Sequence, residues 1–197
     1  MGSIKLPYTS GSGSMSIGSP ATDPSGDLEL KLPATVGTAN QVLKNSGTAG
    51  TLEFGNKGRI LQIVTGETTS RVSTSSTSFQ DTNCSASISL SNASNNVIVI
   101  LSGDVQQSSG SMIYVTVFRG GTSGIDIGNG SSGLISVWGA DNMIIPCTCM
   151  VRDTGINTTS STEYLVKYKR GETNANVFLP GNNGGNKFFI HLLEEEV

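Results

Sequence analysis

From residue 59 onward the chain is a succession of short apolar stretches cut by Gly, Ser and Asn at intervals of roughly 8–15 residues, and this rhythm constrains the fold most strongly. No stretch keeps the 3.6-residue spacing of an amphipathic helix. Residues 84–90 alternate strictly, with Cys84, Ala86, Ile88 and Leu90 apolar and Ser85, Ser87 and Ser89 hydroxylic. Successive strand side chains point to opposite faces, so this segment turns one face inward and a hydroxyl face outward. The same reading gives strands over 59–65, 84–90, 97–105, 112–119, 134–138, 143–152, 162–170, 175–179 and 187–193. Short strands with Gly-rich turns predict an all-β fold, an antiparallel β-sandwich of jelly-roll type.

Some of these strands are apolar on both faces, notably 97–101, 113–118 and 188–193. A two-layer sandwich buries one face of each sheet, so the second face needs a cover. A homo-oligomer with closed symmetry supplies one, and a trimer is the expectation; the chain's own arm is the alternative cover. Val97, Val99, Leu101, Phe188, Ile190 and Leu192 are assigned to that oligomer interface.

Residues 1–56 read differently from 57–197. Four of the six prolines lie here, Pro7, Pro20, Pro24 and Pro33, with SGSGSMSIGSP between the first two. Proline removes backbone donors and glycine costs backbone entropy, so the segment is an extended N-terminal arm with short β pieces rather than a helix. Leu28, Leu30 and Leu32 alternate with Glu29 and Lys31; Val42 with Leu43, and Leu52 with Phe54, form two further apolar patches. None closes a core, but each can add a strand to another surface, and these seven residues are the candidate anchoring contacts.

Composition narrows the function. The 12 basic residues are scattered and the formal charge is −3, which excludes the clustered phosphate contacts of a nucleic-acid binder. The longest apolar run is about five residues against the roughly 18 that a membrane helix requires, so no membrane partner is expected. The start MGSIKLPYTSGSG has no apolar secretion-signal core, and Leu6 stands where a myristoylation signal wants Ser or Thr. Three cysteines make no disulfide framework, which predicts synthesis in a reducing cytoplasm. Charged residues are only 14% while Ser and Thr number 48, so the surface is hydroxylic rather than ionic.

The residues that could carry chemistry gather into no motif. GNGSSG at 128–133 has dinucleotide-fingerprint spacing, but a strand signal, LISVWG, follows where a helix is required, so it reads as a turn. His191, the single imidazole, alternates with Phe189 and Leu193, and no GxSxG elbow exists to pair with it. Cys147 and Cys149 share a strand face and would complete a Cys₃His zinc set with Cys84 and His191. Their spacing is not that of a zinc knuckle, however, and small buried cysteines serve as core filler. Asp104, Asp126, Asp141, Asp153, Glu163 and Glu172 mostly flank turns, and 194–196 reads as a solvated tail. Residues near Trp138, Tyr164 and Tyr168 offer aromatic faces to a sugar, although Trp138 on its apolar strand reads as core. No catalytic, metal or cofactor site is expected.

One phrase is specific: LKLPATVGTANQVLKNSGTAGTLEFGN at 30–56. It resembles the N-terminal segment of virion structural proteins of tailed bacteriophages, especially those of marine cyanobacterial viruses, in which an LP…GTANQVL…G…G.L.FG stretch precedes a β-rich domain. RILQIV at 59–64, STSSTSFQDT at 73–82, SNASNNVIVILSG at 91–103 and VTVFRGGT at 115–122 look like the same group. The resemblance covers most of residues 28–193. It implies a fibre, spike or capsid-decoration protein of the virion, commonly trimeric and not an enzyme, made in the host cytoplasm. Only 56 residues precede the globular part and no shaft repeats are present, so a decoration (cement or head-fibre) protein fits better than a long tail fibre. The implied partners are copies of itself and the major capsid protein or tail proteins, reached through the arm. The alternative is a tail-fibre or spike component that binds a host-cell receptor glycan.

Overall fold

The computed structural model describes residues 3–7, 14–18, 29–38, 41–56, 59–171, 175–181 and 186–197. The chain divides into two compact units, Met1–Lys57 and Gly58–Val197.

In the first unit, β1 (Ser3–Pro7) and β2 (Ser14–Gly18) form one antiparallel hairpin, and β3 (Gln41–Asn45) and β4 (Leu52–Asn56) form another. Lys31 docks beside the second hairpin as a parallel bridge to Thr51, held by Lys31 N–H to Gly50 O at 2.8 Å and Leu52 N–H to Lys31 O at 2.8 Å. Gly50 turns the chain at φ +74°, a conformation that disfavours a side chain. A methyl group at Gly37 would lie 2.5 Å from the Phe54 ring, so the bare backbone there is what lets the aromatic pack down.

The second unit contains β5 (Ile60–Thr68), β6 (Val72–Thr74), β7 (Gln80–Ile88), β8 (Asn96–Gln107), β9 (Ser111–Arg119), β10 (Ile125–Asp126), β11 (Ile135–Gly139), β12 (Ile144–Asp153), β13 (Thr162–Arg170), β14 (Val177–Leu179) and β15 (Phe188–Glu195). All nine strands expected from the alternation are present, with ends displaced by up to four residues. The short β6 and β10 carry no periodic signal and escape a sequence reading. A 3₁₀ turn, Gly121–Ser123, follows β9.

All pairings in this unit are antiparallel. One sheet runs β5-β15-β8-β12, with β14 and then β6 extending it beyond the end of β15. The other runs β7-β13-β9-β11, with β10 beside the far end of β9. Two facing sheets with the four-strand orders β5-β15-β8-β12 and β7-β13-β9-β11 are a jelly roll. Pro146 lies on β12, which among the described residues pairs only with β8; a residue without a backbone donor is tolerated on such an edge.

The core lies between the sheets. Val97, Val99 and Leu101 of β8 and Phe188, Ile190 and Leu192 of β15 meet Ile113, Val115 and Val117 of β9, all at 0% exposure. Cys84, Ala86 and Ile88 of β7 and Tyr164, Val166 and Tyr168 of β13 complete the layer. At two core positions only glycine fits: a Cβ on Gly66 would lie 1.9 Å from the Ser85 carbonyl oxygen, and one on Gly103 would lie 2.5 Å from the Phe188 ring.

Candidate interaction faces

The six residues assigned to an oligomer interface, Val97, Val99, Leu101, Phe188, Ile190 and Leu192, are all in this core and cannot meet another subunit. The doubly apolar strands are real, but the faces are reversed. Ile98 and Ile100 of β8 and Phe189, His191 and Leu193 of β15 point away from the core and are half-buried. Composition could not separate these two sets, because both faces of each strand are apolar.

Strand register assembles the outward residues into rows across the sheet. One row is Ile63, Leu193, Ile98 and Arg152; the next is Thr65, His191, Ile100 and Met150; the third is Glu67, Phe189, Ser102 and Thr148. Ile63 and Met150 stand 63% and 69% exposed at the margins. His191 occupies the middle row, its Nδ1 2.9 Å from Thr65 Oγ1 and its ring stacked on Phe189 at 5.8 Å. Charges stay at the corners: Lys187 pairs with Glu67 at 2.7 Å, and Arg152 and Arg59 pair with Glu195. The result is an apolar sheet face with a paired ionic rim.

The outer face of the second sheet is of another kind. Lys167, nearly buried on β13, donates to Thr122 O at 2.6 Å, pairs with Asp81 at 2.8 Å and sits 4.2 Å from the Phe118 ring centre. Burial pulls the Asp81 carboxyl upward, but hydrogen bonds from Lys167 and Thr122 and the Lys167 charge outweigh it and hold it below its usual range. Phe79 packs edge-on against Phe118 at 6.3 Å, and Lys169 lies 4.5 Å from Phe79 and 5.3 Å from Tyr114. Rings and ammonium groups therefore alternate across the sheet. Beside this ladder opens a cleft of about 570 Å³ lined by Ser73, Thr74, Phe79, Gln80, Asp81 and Thr122, among others. Trp138 on β11 is 64% exposed, contrary to its expected place in the core, because register with Met112 puts it on the outward face. Tyr164 and Tyr168, read as sugar-facing, are instead buried at 0% and 1%.

The remaining sequence candidates resolve as structural groups. Leu30, Leu32, Val42 and Leu43 of the anchoring set are exposed, Leu52 and Phe54 are half-buried, and Leu28 lies outside the described residues. Gly128 to Gly133 is a turn, closed by Gly133 at φ +64° and by the Asn129 carboxamide accepting from Ser131. Cys84 is buried in the core, and Cys147 and Cys149 face inward on β12; burial, with lesser help from Glu67, raises the Cys84 thiol to about 12. Among the described residues no group of three or more His, Cys, Asp and Glu side chains is placed to hold a metal ion.

Three carboxylates do structural work. Asp153 is 7% exposed and accepts from Arg119 at 2.7 Å and Tyr164 at 2.8 Å. Asp104 accepts from the Gly181 amide at 2.7 Å and from Asn186. Glu194, expected in a solvated tail, is 1% exposed and accepts from the Ser91 amide and hydroxyl, Asn95 and Gln62. Glu195 is 6% exposed. A run of three glutamates carries no strand signal, so this extension of β15 was not legible.

No family model matches the chain, and no curated protein matches it. Its structure aligns weakly with solved structures of infectious bursal disease virus. The VP2 subviral particle aligns at a TM-score of 0.36 and 11% identity, covering 80% of this chain and 43% of that one. The virus of the Gx strain aligns at a TM-score of 0.30 and 11% identity, covering 96% and 44%. Virus-derived T=1 particles align at 0.28 and 9%, covering 80% and 41%. The chain thus spans less than half the length of the chains it matches.

Proposed function

We propose that this chain is a virion structural protein of a tailed phage, a capsid decoration protein whose jelly-roll unit self-associates and whose N-terminal unit anchors it to the particle. The apolar outer face of the β5-β15-β8-β12 sheet carries this reading. Covering a half-exposed Ile, Leu or Phe yields about 1 kcal/mol, so the face formed by Ile63, Ile98, Ile100, Phe189, Leu193 and Met150 favours a copy over water. The exposed Leu30, Leu32, Val42 and Leu43 support the anchoring role, since weak apolar contacts gain strength when symmetry repeats them on one particle. The motif-level resemblance of residues 28–193 to phage virion proteins points the same way.

Sedimentation of the full chain is expected to give an oligomer at micromolar concentration, and Ile100→Asp to give a folded monomer. A wild-type chain that stays monomeric at high concentration would remove the support. Cryo-EM of the virion is expected to place the protein on the capsid; density confined to the tail would favour the fibre or spike alternative.

A further inference from the structure

The outer face of the β7-β13-β9-β11 sheet differs from the apolar face in every respect that bears on a ligand. At its β7 edge a cleft opens against β6 of the other sheet, lined by the hydroxyls of Ser73 and Thr74 from β6 and of Thr122, the Gln80 carboxamide and the Asp81 carboxylate, with the Phe79 ring as one wall. Lys167 neutralises the Asp81 carboxylate, so the residues lining the cleft carry no net charge, while the Lys169 ammonium on the same face lies over the Phe79 and Tyr114 rings. The cleft is also open and hydroxylic, unlike the enclosed apolar pockets that take hydrophobic small molecules. A lysine–aspartate pair holding the Gly121–Ser123 turn would account for Lys167, Asp81 and Thr122. It does not account for the aromatic rings of Phe79, Tyr114 and Trp138 being carried on the same outward face.

The register gives the spacing. Tyr114 lies opposite Ser136 of β11 and Lys169 of β13, and Trp138 is two residues along β11 from Ser136. From the β7 edge to β11 the face crosses three strand spacings, about 14 Å, enough for a short oligosaccharide. Apolar ring faces alternating with fixed hydrogen-bonding groups suit a ligand that itself alternates C–H faces with hydroxyls. We propose that this face binds a neutral oligosaccharide, with the Asp81–Gln80 cleft holding sugar hydroxyls and Phe79, Tyr114 and Trp138 stacking against sugar rings. The proposal holds for either position on a particle and does not depend on the oligomer.

Trp138 is the single tryptophan, so its emission reports on the face directly. The probe is a printed array of neutral hexose and hexosamine oligosaccharides with uronic-acid counterparts, followed by fluorescence titration of the full chain with the best neutral binder. Binding is expected to shift Trp138 emission to the blue. Phe79→Ala is expected to weaken binding at least tenfold in a chain that still unfolds cooperatively. Tyr114→Ala, at the other end of the ladder, supplies a second test should the first variant fold poorly. The proposal is overturned if no neutral oligosaccharide binds, if only the uronic-acid set binds, or if both variants bind like wild type. It is equally overturned if the two substitutions dissociate an oligomer, because the face would then be covered by a copy.

Discussion

Glu194 was expected in a solvated tail, and its substitution gives the sharpest test of how the sandwich is closed. Oε1 accepts from the Ser91 amide, the Ser91 hydroxyl and Asn95 Nδ2, each at 2.7 Å, and Oε2 from Gln62 Nε2 at 2.6 Å. These bonds tie the last strand to the turn before β8 and to β5. Glu194→Ala removes the acceptor of all four bonds, leaving Asn95 Nδ2 only a 3.3 Å contact with Ser91 Oγ and Gln62 Nε2 only Ser89 O. The Ser91 pair can return to water, but Asn95 is 5% exposed and cannot. Leaving a buried donor unpaired costs about 2 kcal/mol, and the lost charge-assisted bonds add about another 1–2, giving about 3–4 kcal/mol in all. At roughly 3 °C per kcal/mol for a unit of this size, the melting point drops by about 10 °C. Glu194→Gln keeps the Oε1 acceptor but sets an amide against Gln62, whose other contact, Ser89 O at 2.7 Å, resists a flip; about 2 kcal/mol is expected. Burial pulls the Glu194 carboxyl upward, but the bonds from Ser91, Asn95 and Gln62 outweigh it and lower its pKa. The unfolded chain therefore binds the proton first, and the Glu194 contribution is full above the unfolded value and lost as pH falls through the folded one. Calorimetry of wild type and Glu194→Gln from pH 7 to pH 3 should show the gap closing. A Glu194→Ala loss under 1 kcal/mol, or a gap independent of pH, would refute the assignment.

Other outcomes follow from the packing. Leu101→Ala, at the centre of the sandwich, is expected to cost about 3 kcal/mol in denaturant titration, whereas Ile100→Ala on the outer face is expected to leave the monomer within about 1 kcal/mol of wild type. Gly66→Ala would put a methyl group 1.9 Å from a backbone oxygen, and is expected to lower stability by about 3 kcal/mol. The Cys84 thiol, pushed to about 12 by burial, is expected to resist alkylation at pH 8 until the chain is unfolded, as mass spectrometry of the labelled peptide will show. Deleting residues 1–56 is expected to leave a folded jelly roll that no longer binds particles; retained binding would move the anchor to the sandwich.

The strands were legible because the turns between them are chemically loud. Gly and Asn mark positions such as Asn142 at φ +56° and Gly133 at φ +64°, where other residues are strained. What the sequence hides is contact across distance. Lys167 and Asp81 are neighbours only through the pairing of β13 with β7, and Trp138 reaches the outer face only through its register with Met112. Glu194 falls in phase with Leu192, Ile190 and Phe188 and so faces inward, where donors from two other segments await it; a run of glutamates gives no hint of them.

The reversed faces of β8 and β15 have a physical remedy within the sequence itself. Where both faces of a strand are apolar, its own alternation says nothing about which one meets the core. The neighbouring edge strands are less ambiguous, because an edge strand keeps water on one side. On β12, Thr148 and Arg152 alternate with Cys147, Cys149 and Val151, so this polar pair faces out and carries Met150 with it. On β5, Thr65 and Glu67 alternate with Val64 and Gly66. Antiparallel register then transfers that orientation inward: Arg152 lies opposite Ile98, Ile98 opposite Leu193, and Thr65 opposite His191. The outward set on the central strands is therefore Ile98, Ile100, His191 and Leu193, fixed by the polarity of their neighbours rather than by their own. The same logic brings Ile63 and Met150 of the flanking strands onto that face, which is the apolar surface a copy of this chain would have to cover.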